Sequence, residues 1–261
     1  MHTESTPRPQ RRAFIRLLGG GTVLAATGLA TGGCAGGLPE AALQPWRTAP
    51  AETDLRRFML AHALLAPNPH NRQPWIADLR EPGRIHLVCD GERLLPETDP
   101  FGRQILIGCG AFIELAVIAA AERGQSVTVS LFPQGSPAPL SLPGGTVVAT
   151  LSLGGPGTAA RDPLFEPIRR RHTAKSAYAE GRPLPEALPA TWADTARRHG
   201  LQAGTVTAPG EVAALRRIAR EAYEIEAITR ATWLESARLM RIGPDAIATQ
   251  RDGISLASPM V

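Results

Sequence analysis

Lysine is almost missing from this 261-residue chain. Lys175 is the only one among 28 basic residues, and the other 27 are arginines. Cysteine is scarce as well: Cys34, Cys89 and Cys109 are the full set, and their spacing fits no metal motif. No Gly-Lys pair occurs, which excludes a P-loop, and no Gly-x-Gly-x-x-Gly follows an expected strand. Gly108-Cys109-Gly110 falls inside an apolar helical stretch and reads as close packing. His62, His70, His86 and His199 lack metal-ligand spacing, and His62, on an apolar helical face, reads as a satisfied core residue. No Ser/His/Asp set follows from residue order. Nucleic acid is not indicated as a partner: no basic run is interleaved with aromatics, and the net charge is only +4. Arg8, Arg11, Arg12 and Arg16 against Glu4 account for three of those four charges.

What is present suits a globular protein, with 43% hydrophobic and 20% charged residues. The N-terminus carries Arg11-Arg12-Ala13-Phe14-Ile15-Arg16, then a weakly apolar stretch from Leu17 to Thr31 that is broken by glycines. That stretch is shorter than the roughly 20 apolar residues of a spanning helix. A charged start, a short apolar region and small residues after it read as a signal peptide over 1–34, and the arginine pair points to the twin-arginine route. The expected location is therefore the periplasm or cell envelope. Thr31-Gly32-Gly33-Cys34 leaves two readings open, a lipid anchor at Cys34 or plain cleavage. Cys89 and Cys109 read as small buried residues, with a disulfide after export as the alternative.

Residues 35–50 are rich in Gly, Pro and Ala and read as a linker. Leu55, Phe58, Met59, His62 and Leu65 share one helical face, and Pro67 and Pro69 stop that helix. Strands are expected at 75–79 and 84–88 around Glu81-Pro82-Gly83, followed by a loop at 95–100. Arg103 to Arg123 is a long helix, apolar nearly all round and so buried, with Gly124 at its end. Strands at 127–132 and 146–153 follow. After a boundary near 154–160, Asp162-Pro163 opens a short helix running to about Arg170. Further helices are expected at 183–198, from Val212 to about Arg230, and at 232–241, with a strand near 203–206. No strand and final helix are expected to close the second half.

Two segments carry candidate chemistry. Pro67-Asn68-Pro69-His70-Asn71-Arg72-Gln73-Pro74-Trp75 is a loop stiffened by three prolines, whose amides offer both donors and acceptors, as the uracil-like edge of a flavin ring requires. Spacing alone favours the other reading, a helix-stop turn with ordinary Asx bonding. Arg170-Arg171-His172-Thr173-Ala174-Lys175 brings an arginine fork, a hydroxyl and an ammonium within reach of one phosphate, or else forms a solvated basic surface.

Pro67 to Trp75 resembles the Pro-Ser-x-x-Asn-x-Gln-Pro-Trp segment of the nitroreductase family, with Asn68 in place of serine. Arg171 to Lys175 resembles that family's Arg-His/Arg-Ser-x-Lys/Arg phosphate segment, with Thr173 keeping the hydroxyl. Together with the leader and Leu94-Leu95-Pro96-Glu97-Thr98-Asp99-Pro100, the chain is similar to the Acg-like branch. The resemblance implies an α+β three-layer fold, with a mainly antiparallel sheet, helices around it and two pseudo-repeats, at 51–155 and 156–261. The first repeat would give Asn68, Pro69, Asn71 and Gln73 to a single FMN site, and the second Arg171, His172, Thr173 and Lys175. Two repeats in one chain would thus stand in for the family's homodimer, unless a partner chain completes the site.

The implied activity is an FMN-dependent oxidoreductase that passes hydride from NAD(P)H to a nitro-aromatic or quinone-like acceptor. No catalytic side chain is required, because the cofactor carries the chemistry. A non-catalytic FMN-sequestering protein and a degenerate fragment are the alternatives. Family members usually run past this length, so the second repeat is expected to be incomplete, without the last strands and a basic segment that also grips the phosphate.

Overall fold

Asp54 starts the first well-packed helix by accepting hydrogen bonds from the Arg56 and Arg57 amides. That helix, α2 (Leu55–Ala63), buries Phe58, Met59, His62 and Ala63 on one face. It ends ahead of Pro67, because the chain already tightens at Leu64 to Ala66, where the Leu65 and Ala66 amides donate to the carbonyls three residues back, His62 and Ala63. The computed structural model describes residues 38–47, 50–138, 141–173 and 184–256. The expected signal over 1–34, Cys34 and Lys175 lie outside them. Within the segment read as a linker, Glu40–Arg47 forms a helix, α1, whose Trp46 packs against Leu65, Ile118 and Ile168.

The sheet comprises β1 (Trp75–Asp78), β2 (Arg84–Cys89), β3 (Gln125–Leu131) and β4 (Val147–Pro156). Their order is β1-β2-β4-β3, and every neighbouring pair is antiparallel. β2 and β3 therefore run the same way. Helix α3 (Arg103–Glu122) is the crossover between them, and β4 returns between the two. Alternation along β2 sends Ile85, Leu87 and Cys89 into the core. Ala149 and Leu151, opposite Leu87 and Ile85, point the same way. α2 and α3 cover that face with Phe58, Met59, Ile105, Cys109, Phe112 and Ala116. Arg84, His86 and Asp78 on the other face are partly or fully exposed. There His86 bridges the Thr150 hydroxyl and the Glu81 carboxylate, at 2.9 Å from each.

α3 is long and apolar enough to cross a membrane, but half of it is buried against its own sheet, so it is a core helix. It is not buried all round: Ile107 remains 71% exposed. Gly108 and Gly110 differ in the same way. A side chain on Gly108 would meet Asn68 Cβ at 3.1 Å and Pro67 O at 3.4 Å, whereas one on Gly110 would meet nothing. Gly108→Val should therefore destabilise the fold by about 1–3 kcal/mol. Gly110→Ala should stabilise it by roughly 0.5–1 kcal/mol, the ordinary helix preference. Urea unfolding of the two variants checks both signs. Cys89 and Cys109 are free and buried, and burial pushes their thiols up to about 11 and about 12.

Beyond β4 several expectations need correction. The helix expected from Asp162 is only a 3-10 turn, Glu166–Arg169, because Pro167 lacks the N–H that an α-helix would bond back to residue 163. Residues 203–206 form no strand; Gly204 interrupts them, and no strand among the described residues pairs with them. α4 (Leu188–Arg198), α5 (Pro209–Ile228) and α6 (Arg230–Arg238) do form, but none contains a buried residue. The chain then makes β5 (Met240–Arg241), α7 (Pro244–Thr249) and β6 (Ile254–Ser255), where no closing strand or helix was expected. β5 and β6 pair in parallel.

Candidate functional site

The loop between α2 and β1 is held in an unusual shape. His70, Asn71 and Gln73 all have φ near +50°, in the left-handed region that non-glycine residues seldom enter. Such outliers cluster where a surrounding structure over-determines the backbone, often at ligand sites. Asn68 enforces much of the shape. Its Oδ1 accepts from the Gln73 amide at 2.7 Å, and its Nδ2 donates to Ala66 O at 3.1 Å. The Asx-turn reading therefore holds for Asn68: its amide is spent on the loop and shapes the site from within. Pro69 opens a 3-10 turn through Asn71. At the far end Trp75 anchors the loop against Phe112, with ring centroids 4.8 Å apart.

Asn71 and Gln73 keep part of their bonding capacity. Gln73 Nε2 donates to Arg251 O at 2.7 Å and, more weakly, to Asn71 Oδ1 at 3.4 Å. That leaves Gln73 Oε1 as an acceptor and Asn71 Nδ2 as a donor, neither with a partner among the described residues. His70 points toward α6, where its Nε2 lies 3.3 Å from the Ser236 hydroxyl. Its Nδ1 is buried without a partner. Burial lowers its pKa and outweighs the pull of Glu235 and Glu226, so His70 is neutral at pH 7.

The second segment reaches this loop through Ile168. That residue packs with Leu65 and Ile118, which sets Arg171 against the chain just ahead of Pro67. Arg171 Nη2 donates to Leu65 O at 2.6 Å. Its Nε is buried with no partner, and no carboxylate pairs with it among the described residues. Burial lowers its pKa, as expected of a cation partly withdrawn from water whose hydrogen bond to Leu65 O brings no counter-charge. His172 and Thr173, next along, are exposed. The contact between the two segments is made at Leu65, three residues ahead of Asn68, through the Arg171 guanidinium.

A set of residues that sequence reading missed closes the other side. Asp252 accepts from Arg241 Nη2 at 2.9 Å, is in contact with Arg72 Nη1, and lies 4.0 Å from Arg93 Nη1. Burial opposes the ionisation of Asp252, but the hydrogen bond from Arg241 and the charges of Arg72, Arg241 and Arg93 together hold its carboxyl below the usual range. Its contribution to stability is thus present above the ordinary carboxylate pKa of about 4 and is lost as pH falls through the lowered value. Glu235 docks α6 on the 95–100 loop, accepting from the Glu97 amide at 3.2 Å, the Thr98 amide at 2.9 Å and the Thr98 hydroxyl at 2.6 Å. The 95–100 loop and Arg72 fall in segments the sequence singled out, but Asp252, Arg241, Arg93 and Glu235 do not, and the Asp252-Gly253 pair, a turn dipeptide, is the signal that could have pointed to them. Among the described residues no cluster of His, Cys, Asp or Glu could hold a metal.

No family model matches the chain. Part of it is similar to curated proteins of Mycobacterium tuberculosis. One named "Putative NAD(P)H nitroreductase acg" is 37% identical over 81 residues, which is 31% of this chain and 24% of that relative. A second, "Putative NAD(P)H nitroreductase Rv3131", is 35% identical over 77 residues, 30% of this chain and 22% of the relative. A third, "Uncharacterized protein Rv3127", is 37% identical over 83 residues. The chain therefore spans about a quarter of the length of the curated relatives it matches. The matches support a nitroreductase relationship, and the antiparallel sheet with its helices is compatible with such a fold.

Proposed function

We propose that this chain is a nitroreductase-type flavin protein that holds FMN between the 67–75 loop and the Arg171–Lys175 segment. The observation that carries the reading is Arg171: a guanidinium half withdrawn from water, with a free Nε and no counter-charge among the described residues. Such a group favours an anionic ligand, and a phosphate accepts from its fork in two places. Thr173 would add a hydroxyl donor and Lys175 a second charge, with His172 alongside. At the other end Gln73 Oε1 and Asn71 Nδ2 offer one acceptor and one donor, the pattern that an N–H and a neighbouring carbonyl of the ring would meet. The free Arg171 Nε and the free Gln73 Oε1 and Asn71 Nδ2 support that reading.

Bound FMN would supply hydride transfer between NAD(P)H and a nitro-aromatic or quinone-like acceptor. The protein's part is to orient it: Arg171 fixes the phosphate end, and the left-handed loop fixes the ring edge. The proposed organisation has a twin-arginine signal over 1–34, with Cys34 as a candidate lipid site, then repeats at 51–155 and 156–261. α4 to α6 and the β5–β6 pair would belong to the second repeat and to the third layer of the fold. The proposed location is the periplasm or cell envelope, where free nicotinamide cofactors are scarce. That scarcity favours FMN sequestration as the second reading.

The test is an absorbance spectrum of the full chain after incubation with FMN and desalting, followed by anaerobic NADPH. Retained flavin bands that NADPH bleaches are expected. A colourless protein sinks the FMN assignment, and retained flavin that NADPH leaves untouched selects sequestration.

A further inference from the structure

The segment Gln250 to Gly253 lies along the candidate cofactor loop, though some 180 residues separate them in sequence. Arg251 O takes one of the two protons of the Gln73 amide, and the Gly253 amide donates to Asn71 O at 3.2 Å. Asp252, between them, is clamped by Arg72 from the loop and by Arg241 from β5, with Arg93 beyond. Arg72 is itself committed to the carbonyls of Glu92 and Arg93, at 2.7 and 3.3 Å. Gly253, at φ +91°, lets the strap pack against the start of β5: a Cβ there would sit 2.4 Å from Leu239 O and 2.9 Å from the Arg241 guanidinium that holds Asp252.

This arrangement has a chemical consequence for the loop. An amide side chain can present either its oxygen or its nitrogen to a ligand, and its other contacts decide which. The Arg251 carbonyl can only accept, so it holds Gln73 with Nε2 toward the strap. Gln73 Oε1 is then the group left for a ligand. Asn71 Oδ1 in turn faces Gln73 Nε2, which leaves Asn71 Nδ2 as the donor.

We propose that Asp252 is a positioning residue that latches the 250–253 strap on the loop and so sets the site to accept through Gln73 Oε1 and to donate through Asn71 Nδ2. The ligand class this selects is a planar ring presenting an N–H beside a carbonyl. The identity of that ring as flavin rests on the function proposed above; the latch itself does not.

Two variants of the full chain test it, Asp252→Asn and Gly253→Ala, the second dislodging the strap without changing a charge. Hydrogen exchange without FMN reads the latch alone. In both variants the amides of residues 68–75 should exchange at least about tenfold faster, while those of α3 keep their protection. Unchanged exchange in the loop overturns the latch, whatever the outcome with flavin. If Asp252→Asn loses protection in α3 as well, Gly253→Ala decides. The second arm compares FMN with N3-methyl-FMN, which lacks the ring N–H. The unaltered chain should prefer FMN by roughly tenfold, the worth of one good hydrogen bond, and both variants should lose that preference. Preference kept in variants whose loop has loosened overturns the selecting role. No binding of either flavin by the unaltered chain overturns the flavin reading and leaves the exchange result to judge the latch.

Discussion

Phe112→Ala is expected to cost about 3–5 kcal/mol, enough to bring a typical domain of 5–15 kcal/mol close to its unfolding threshold. Phe112 is 1% exposed and the largest fully buried side chain among the described residues, within the core cluster that α2, α3 and the sheet share. Its removal leaves a cavity and takes away the ring on which Trp75 rests. The contrast lies in the second half. Ile228→Ser, in a residue 72% exposed at the end of α5, should change stability by less than about 0.5 kcal/mol, although the sequence gives Ile228 as good a hydrophobic credential as Phe112. Chemical denaturation of the two variants side by side reads the difference. Comparable losses would mean that α5 buries its apolar face after all, and that the core is not confined to the first half.

The same contrast explains how much of the fold could be read from the residues. α2, α3 and all four sheet strands were expected within a few residues of where they form, because each has a face whose period matches its element and a neighbour to bury it against. Ile105, Cys109, Phe112, Ile113, Ala116, Val117 and Ala120 form one stripe by spacing, and all are buried except Val117, which is half-buried. Beyond residue 156 periodicity still gave helices, since α5 needs only its own backbone bonds to form. It did not say whether Leu215, Ile218 and Ile225 would find a partner, and these stay exposed. Local signals also misled where one residue had a veto. Asp162-Pro163 is a sound helix start, yet Pro167 four residues on removes the bond that would continue it. β5 and β6, two residues each, carry no alternation to detect.

The site was legible in its chemistry more than in its division of labour. Asn68 was read as a ligand-facing amide, but both ends of its side chain serve Gln73 and Ala66. Gly108 was read as a packing glycine, and its packing partner turns out to be Asn68 itself. Asp252, Arg241 and Arg93 could not be found by motif. Each is an ordinary residue, and what unites the two arginines with Arg72 is the Asp252 carboxylate, which the fold alone brings to the same place. Long-range ion pairs of this kind leave no spacing to read.

Replacing Arg171 tests the phosphate end most directly. Arg171→Met keeps the apolar stem and removes the fork, and FMN affinity should fall by about 10- to 150-fold, the roughly 1.5–3 kcal/mol of a charge-assisted hydrogen bond. Riboflavin, which lacks the phosphate, should bind the unaltered chain about as weakly as FMN binds the variant, and the variant should no longer distinguish the two. Stability without ligand provides the independent readout. Removing a partly desolvated guanidinium relieves its burial, while removing its Nη2 takes the donor from Leu65 O, so the two effects oppose each other and the net change should stay under about 1 kcal/mol. A large affinity loss without a stability loss is what a binding group gives, whereas a structural arginine would show both. Arg171→Lys separates charge from shape, because the ammonium keeps the attraction but cannot span two phosphate oxygens, so it should recover only part of the affinity. If Arg171→Met binds FMN as tightly as the unaltered chain and still prefers it to riboflavin, the phosphate lies elsewhere, and the free Nε of Arg171 is a cost of packing rather than a site.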